Sequence, residues 1–246
     1  MLIKQLSSSY NEYNNNYAAS FLIGPLPEGI AQSLGFNIRS VLLKEFPYFA
    51  VKNIRFNPEN NNYKTHIGTK ESIETIINTI LGIDFNYSFD FYKAMGLYKS
   101  KPKALFQENL SKAKFLCSAK QVGEGILYAK DLMLPVGIKC TTPYKIIAHV
   151  TKQNFLGFTF ELGFLFGLNN NIKFENKLYS IKTYPIQNIN IEIINSKKSF
   201  NLNSESIILS FTTKSSLQPI DVIKILSYLL LNKHLILIKA FQQFLD

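Results

Sequence analysis

The chain has 246 residues, 46% of them apolar and 18% charged, with 27 Lys and Arg against 17 Asp and Glu and a formal net charge of +10. That composition excludes wholesale disorder and provides for a buried core of one or two domains. Arginine occurs only at Arg39 and Arg55, so the excess is lysine, whose point charges suit solubility or an acidic protein partner before nucleic acid.

Residues up to about Tyr17 are Asn-rich, repeat no apolar period and read as a loose arm. They also lack the apolar core of a secretory signal and the arginines of an imported transit peptide. The core is expected from Ser20. After a turn at Pro25 to Gly29, Ile30, Leu34, Ile38, Val41 and Leu42 recur at the spacing of one helical face, and Pro47 closes that helix. A second helix follows, with Gly68-Thr69 as its cap, Glu71 in the first turn, a stripe of Ile73, Ile76, Ile77 and Ile80, and Gly82 as the stop. The stretch from Asn86 to Gly125 reads as strands joined by a basic loop around Lys99, Lys101 and Lys103.

From Tyr144 onward short apolar runs predict strands over Tyr144 to Val150, Phe155 to Phe160, Leu178 to Ile181 and Ile207 to Phe211. Ile189, Ile191 and Ile193 alternate with Asn190 and Glu192, the pattern of a strand with one buried face. A long helix starts near Pro219, with Asp221 at the positive end of its dipole. It is apolar around most of its circumference, so it belongs either to a larger core or to a subunit interface. Lys224, Lys233 and Lys239 interrupt it, which argues against a membrane span.

Chemistry-bearing patterns are sparse. Cys117 and Cys140 have no CxxC spacing; they read as reduced intracellular thiols, with a disulfide between them the alternative. His66, His149 and His234 lie singly, and no phosphate loop, dinucleotide fingerprint or nucleophile elbow occurs. Of the carboxylate pairs, Glu28 and Glu45 flank a helix and Glu71 with Glu74 reads as a solvated helix face. No catalytic, metal or cofactor residue is expected. The fold class is α+β: a mixed or antiparallel sheet, two or three helices and an oligomeric surface.

The segment Gly24 to Leu43, GPLPEGIAQSLGFNIRSVLL, resembles the first-helix motif of the bacterial-type RNA polymerase alpha subunit, in which Pro-Leu and Gly precede Leu-Gly-Asn-x-Leu-Arg-Arg-x-Leu-Leu. The apolar helix after Gly68, the Tyr-Pro-Ile segment at Tyr184 and the helix start between Thr213 and Pro219 follow in the family's order. The resemblance implies a dimerisation subdomain from residues 1–52 and 172–246, carrying two dimerisation helices, and a mostly β insert over residues 53–171. It further implies a second alpha subunit pairing through Ile30, Leu34, Ile38, Leu42, Ile223, Leu226 and Leu230. The resulting platform would hold the β and β′ subunits.

Arg39 matches the first arginine of the family's pair; Ser40 stands where the second would be, with Lys44 its possible substitute. The family's basic turn is altered to Leu165-Phe166-Gly167-Leu168. The chain stops where the family continues to a promoter-binding domain, so no sequence-specific DNA binding is expected. The AT-rich residue usage suggests a plastid, with the bacterial cytoplasm as the alternative. The competing function is a lysine-rich RNA- or ribosome-binding protein.

Overall fold

The computed structural model describes residues 2–56, 68–86, 112–151, 155–167, 170–174, 177–181, 183–198 and 202–242. Both ends of the chain build one antiparallel sheet: β1 (Leu2–Asn11), β2 (Asn16–Pro27), β12 (Ile186–Lys198) and β13 (Leu202–Lys214), in the order β1-β2-β13-β12. Its apolar face follows from period-two alternation. Ala19, Phe21 and Ile23 on β2 sit in register with Phe211, Leu209 and Ile207 on β13, and all six are buried. The Phe21 and Phe211 rings stack with centroids 5.7 Å apart.

Helix α1 (Ile30–Ser40) lies over β2, β12 and β13, and the final helix, α3 (Pro219–Gln242), meets β2. Ala31, Ile38, Val41 and Leu42 bury one side of α1 and its continuation, while Val222, Ile225, Leu226 and Leu229 bury one side of α3. The alternation expected over Ile189 to Ile193 is present on β12: Ile189 and Ile191 pack against the core while Asn190 and Glu192 face solvent. Ile193, farther along this edge strand, is 44% exposed.

The expected N-terminal arm is instead a strand. β1 pairs along its length with β2, supported by a Ser7 Oγ to Ser20 Oγ bond of 2.6 Å and by Tyr10 against Tyr17. Every β1 residue is exposed, so no apolar period marks it; backbone pairing to β2 suffices. Asn15, at φ 49°, makes the reversal in the left-handed conformation that Asn tolerates.

The middle of the chain is mostly strand. β3 (Pro47–Phe56), β9 (Phe155–Phe166) and β5 (Lys114–Val122) form an antiparallel sheet in the order β3-β9-β5. Around it lie the paired strands β4 (Phe85–Asn86) with β7 (Lys139–Cys140), β6 (Gly125–Tyr128) with β8 (Ile146–Val150), and β10 (Asn171–Phe174) with β11 (Lys177–Ser180). The expected subdomain border at residue 52 falls inside β3, at its bulge between Val51 and Asn53, and that at residue 172 falls inside β10. The expected basic loop at Lys99 to Lys103 lies outside the described residues.

Helix α2 (Ile73–Leu81) buries Ile73, Ile76, Ile77 and Ile80 and stops at Gly82, as the sequence predicts. Its start differs. Ser72 is the cap, accepting a 3.2 Å bond from Thr75 N, because Gly68 and Thr69 are engaged with the end of β8 through the Thr69–Val150 bridge. Glu71 therefore precedes the helix, and Glu74 occupies the first turn. The mixed architecture is the expected α+β class. No helix among the described residues is long and apolar enough to cross a membrane.

Candidate assembly surface

Helix α1 begins at Gly29, whose φ of 82° suits glycine and whose lack of a side chain leaves no local cap. The cap comes from across the sheet, where Glu205 Oε2 accepts the Ala31 N–H at 3.0 Å. Gly35 lets the helix sit close on β12; an added Cβ there would stand 3.1 Å from Ile191 Cγ2.

At its C-terminal end α1 passes into a π-helical turn, Val41–Glu45, and Pro47 stops the chain from continuing as helix. Such a turn loosens the carbonyl ladder. The buried Tyr184 hydroxyl donates to the Leu42 carbonyl, and Asn170 Nδ2 reaches Tyr48 Oη at 2.9 Å and the Phe166 and Gly167 carbonyls at 3.0 Å. Tyr48 and Tyr184 meet edge to face at 5.2 Å. Burial raises the Tyr48 pKa against the lowering effect of its Asn170 bond, so the phenol stays protonated and available as the acceptor. Gly167, at φ 68°, closes the knot, since a Cβ there would lie 2.6 Å from the Lys44 carbonyl oxygen. Lys233 Nζ on α3 then reaches Glu45 Oε1 at 3.0 Å.

The structure thus gathers features separated in sequence: the first-helix motif, the Tyr-Pro-Ile segment and the Leu165 to Gly167 turn meet at one helix end. Arg39 and Lys44 are exposed and Ser40 is half-buried there, so the three large-subunit candidates share one accessible region. Leu168 lies outside the described residues.

The partner candidates on the helices divide differently. Ile38, Leu42, Ile223 and Leu226 are at most 7% exposed within the chain itself and belong to its core. Leu34 and Leu230 are half-buried and pack on that core, while Ile30 is 44% exposed. The opposite helix faces carry apolar groups that are not among those partner candidates. Phe36 is 74% exposed on α1, and Ile220, Lys224, Ser227, Leu231, His234 and Ile238 form one outward stripe on α3, with Leu231 54% and Ile238 50% exposed. Phe36 was legible as an apolar residue off the Leu34-Ile38 stripe.

Cys117 and Cys140 are free thiols; burial pushes Cys117 up to about 12 and raises Cys140 as well, which makes both poor nucleophiles. His149 instead works structurally, with Glu71 accepting from its backbone N–H at 2.7 Å and bonding its Nδ1 at 2.5 Å. Among the described residues no group of three or more His, Cys, Asp or Glu has the arrangement to hold a metal ion.

No protein-family model matches the chain. It is similar over most of its length to proteins described as DNA-directed RNA polymerase subunit alpha. That of Fervidobacterium nodosum is 25% identical over 225 residues, covering 87% of this chain and 61% of the relative. That of Chaetosphaeridium globosum is 27% identical over 216 residues, 86% of this chain and 58% of the relative. That of Chlamydomonas reinhardtii is 25% identical over 193 residues, 78% of this chain and 32% of the relative. The chain therefore spans between about a third and three fifths of these relatives.

Proposed function

We infer that this chain, a divergent relative of the alpha subunits of DNA-directed RNA polymerase, is a noncatalytic assembly subunit in transcription. The similarity to alpha subunits over most of the chain carries this reading. The tie between the first-helix motif and Tyr184 supports it, because two separate stretches of the resemblance serve one piece of architecture.

In this reading two copies pair through the outer faces of α1 and α3, where Ile30, Phe36, Leu231 and Ile238 provide apolar surface that the single chain leaves in water. Leu34 and Leu230 border that seam, whereas Ile38, Leu42, Ile223 and Leu226 support it from beneath. Arg39, Ser40 and Lys44 face the β or β′ subunit, with Arg39 offering a forked contact to a carboxylate. Residue usage and the algal relatives favour a plastid.

Native purification from the source, with nuclease present, tests this: two copies with one each of β- and β′-like chains are expected, and ribosomal proteins or RNA alone would overturn it. Light scattering on the purified chain tests the seam. Phe36→Asp with Leu231→Asp is expected to give a folded monomer by placing charge in the contact. Ile38→Asp is expected to unfold the chain, since that side chain is 1% exposed. A folded, monomeric Ile38→Asp variant would return the seam to the inner face.

A further inference from the structure

Directly after β6 the chain makes a short 3₁₀ turn, Ala129–Asp131. Two backbone bonds fasten that turn to the segment entering β8: the Ala129 N–H donates to the Lys145 carbonyl at 2.9 Å, and the Lys130 N–H to the Pro143 carbonyl at 2.9 Å. Asp131 Oδ2 accepts the Tyr128 N–H at 2.9 Å, and Ala129 is buried. These ties fix three side chains from two segments in one place: Tyr128, Lys130 and Tyr144.

The Lys130 ammonium lies over both rings, 5.1 Å from the Tyr128 centroid and 5.6 Å from that of Tyr144. Tyr144 is nonetheless 77% exposed, so ring surface remains for a planar group. A tyrosine with that much area in water adds little to the core, and packing does not account for it. The surface continues along the hairpin. Ile126 shares the outer face of β6 with Tyr128, and Ile146 stands opposite Tyr128 on β8; both isoleucines are partly in water.

A cation held beside exposed aromatic surface matches a nucleotide, whose base stacks on a ring while its phosphate meets the charge. Rings from two segments give successive bases two platforms. Lysine supplies a point charge without a fork, and a ring face accepts every base, so the arrangement suits a single strand of any sequence. A duplex keeps its bases stacked on one another and would offer this site phosphate alone. The formal net charge of +10 favours the approach of a polyanion.

We propose that Tyr128, Lys130 and Tyr144 form a contact site for single-stranded nucleic acid, with bases stacking on the two rings and a phosphate on the Lys130 ammonium. The site lies in the middle of the chain and does not rest on the α1 and α3 seam, which uses other elements.

Fluorescence anisotropy of the purified full chain, with labelled oligouridine and oligodeoxythymidine of about 15 nucleotides, tests this. Binding to at least one of them is expected, and the tighter one identifies the strand as RNA or DNA. Tyr144→Ala is expected to weaken binding at least about fivefold, and Tyr144→Phe less than about twofold, because the ring carries the stack. Lys130→Gln is expected to flatten the slope of log affinity against log salt by about 0.7. Both positions are exposed, so the variants should keep the parent's melting curve. No binding to either strand at low salt would overturn the proposal. So would equal affinity for a duplex of the same length, an unchanged affinity in Tyr144→Ala, or a photoreactive probe at Tyr144 that in extract of the source crosslinks protein and no nucleic acid.

Discussion

Glu205 caps the start of α1 from 174 residues beyond Ala31, its Oε2 accepting the Ala31 N–H at 3.0 Å. β13 sets Glu205 beside Leu26 near the end of β2, and a register shift between Glu205 and Ile207 accompanies that placement. The carboxylate serves both an orphan amide and the positive end of the helix dipole. Glu205→Ala is therefore expected to cost about 1 kcal/mol, read as a lower midpoint in chemical denaturation. An unchanged midpoint would remove the cap from any role in stability.

Tyr184→Phe isolates a single hydroxyl. The ring keeps its packing against Tyr48, but the Leu42 carbonyl in the π-helical turn loses its donor. Leaving a buried acceptor unpaired is expected to cost about 1–3 kcal/mol in thermal or chemical unfolding. If the turn opens with it, hydrogen exchange should quicken at residues 41–46 and not in α2.

Glu71 sets a pH dependence. Burial alone would raise its pKa, but the His149 backbone N–H and imidazole outweigh burial, and the net shift is downward from 4.5. A carboxyl whose folded pKa is depressed contributes stability that is complete above its unfolded value and is lost as pH falls through the folded one. Glu71→Gln should therefore be less stable than the parent at pH 7, with the two denaturation midpoints converging below about pH 4.5. Parallel curves down to acid would show that the ionised carboxylate adds nothing.

The pair between Asp84 and Lys214, at 3.1 Å and 18% exposure on each side, behaves in the opposite sense. Burial raises the Asp84 pKa despite Lys214 and Lys145, so ionising it in the fold is unfavourable. Asp84→Asn removes that cost together with the attraction and is expected to stay within about 1 kcal/mol of the parent. Lys214→Met leaves a buried carboxylate short of a cation and is expected to cost about 3 kcal/mol. Equal losses in the two variants would contradict this asymmetry.

Helices and strands with one face on the core were legible where one period dominates, as in the Ile73 to Ile80 stripe of α2 and the alternation from Ile189 to Glu192 on β12. The N-terminal strand was not, because an exposed edge strand is held by backbone bonds that leave no mark in side-chain polarity. Which faces of the terminal helices lie outward was not legible, for a different reason. Periodicity identifies an apolar stripe, but when a helix is apolar on two sides it does not say which side the sheet covers. Leu34, Ile38 and Leu42 are such a stripe, and the sheet takes that side, leaving Phe36 outward. Glu71 looked like a first-turn residue because its true partner, His149, lies 78 positions away.

The sheet that joins the two ends of the chain also imposes an order in time. Synthesis delivers β2 and α1 first, with Phe21, Ile23 and Ile38 already needing cover, yet β13, the strand that pairs β2, emerges some 175 residues later. At typical elongation rates of about 5–20 residues per second, that apolar surface waits on the order of ten seconds or more at the ribosome. The β3-β9-β5 sheet, complete once Phe166 has been made, has the opportunity to fold within that interval.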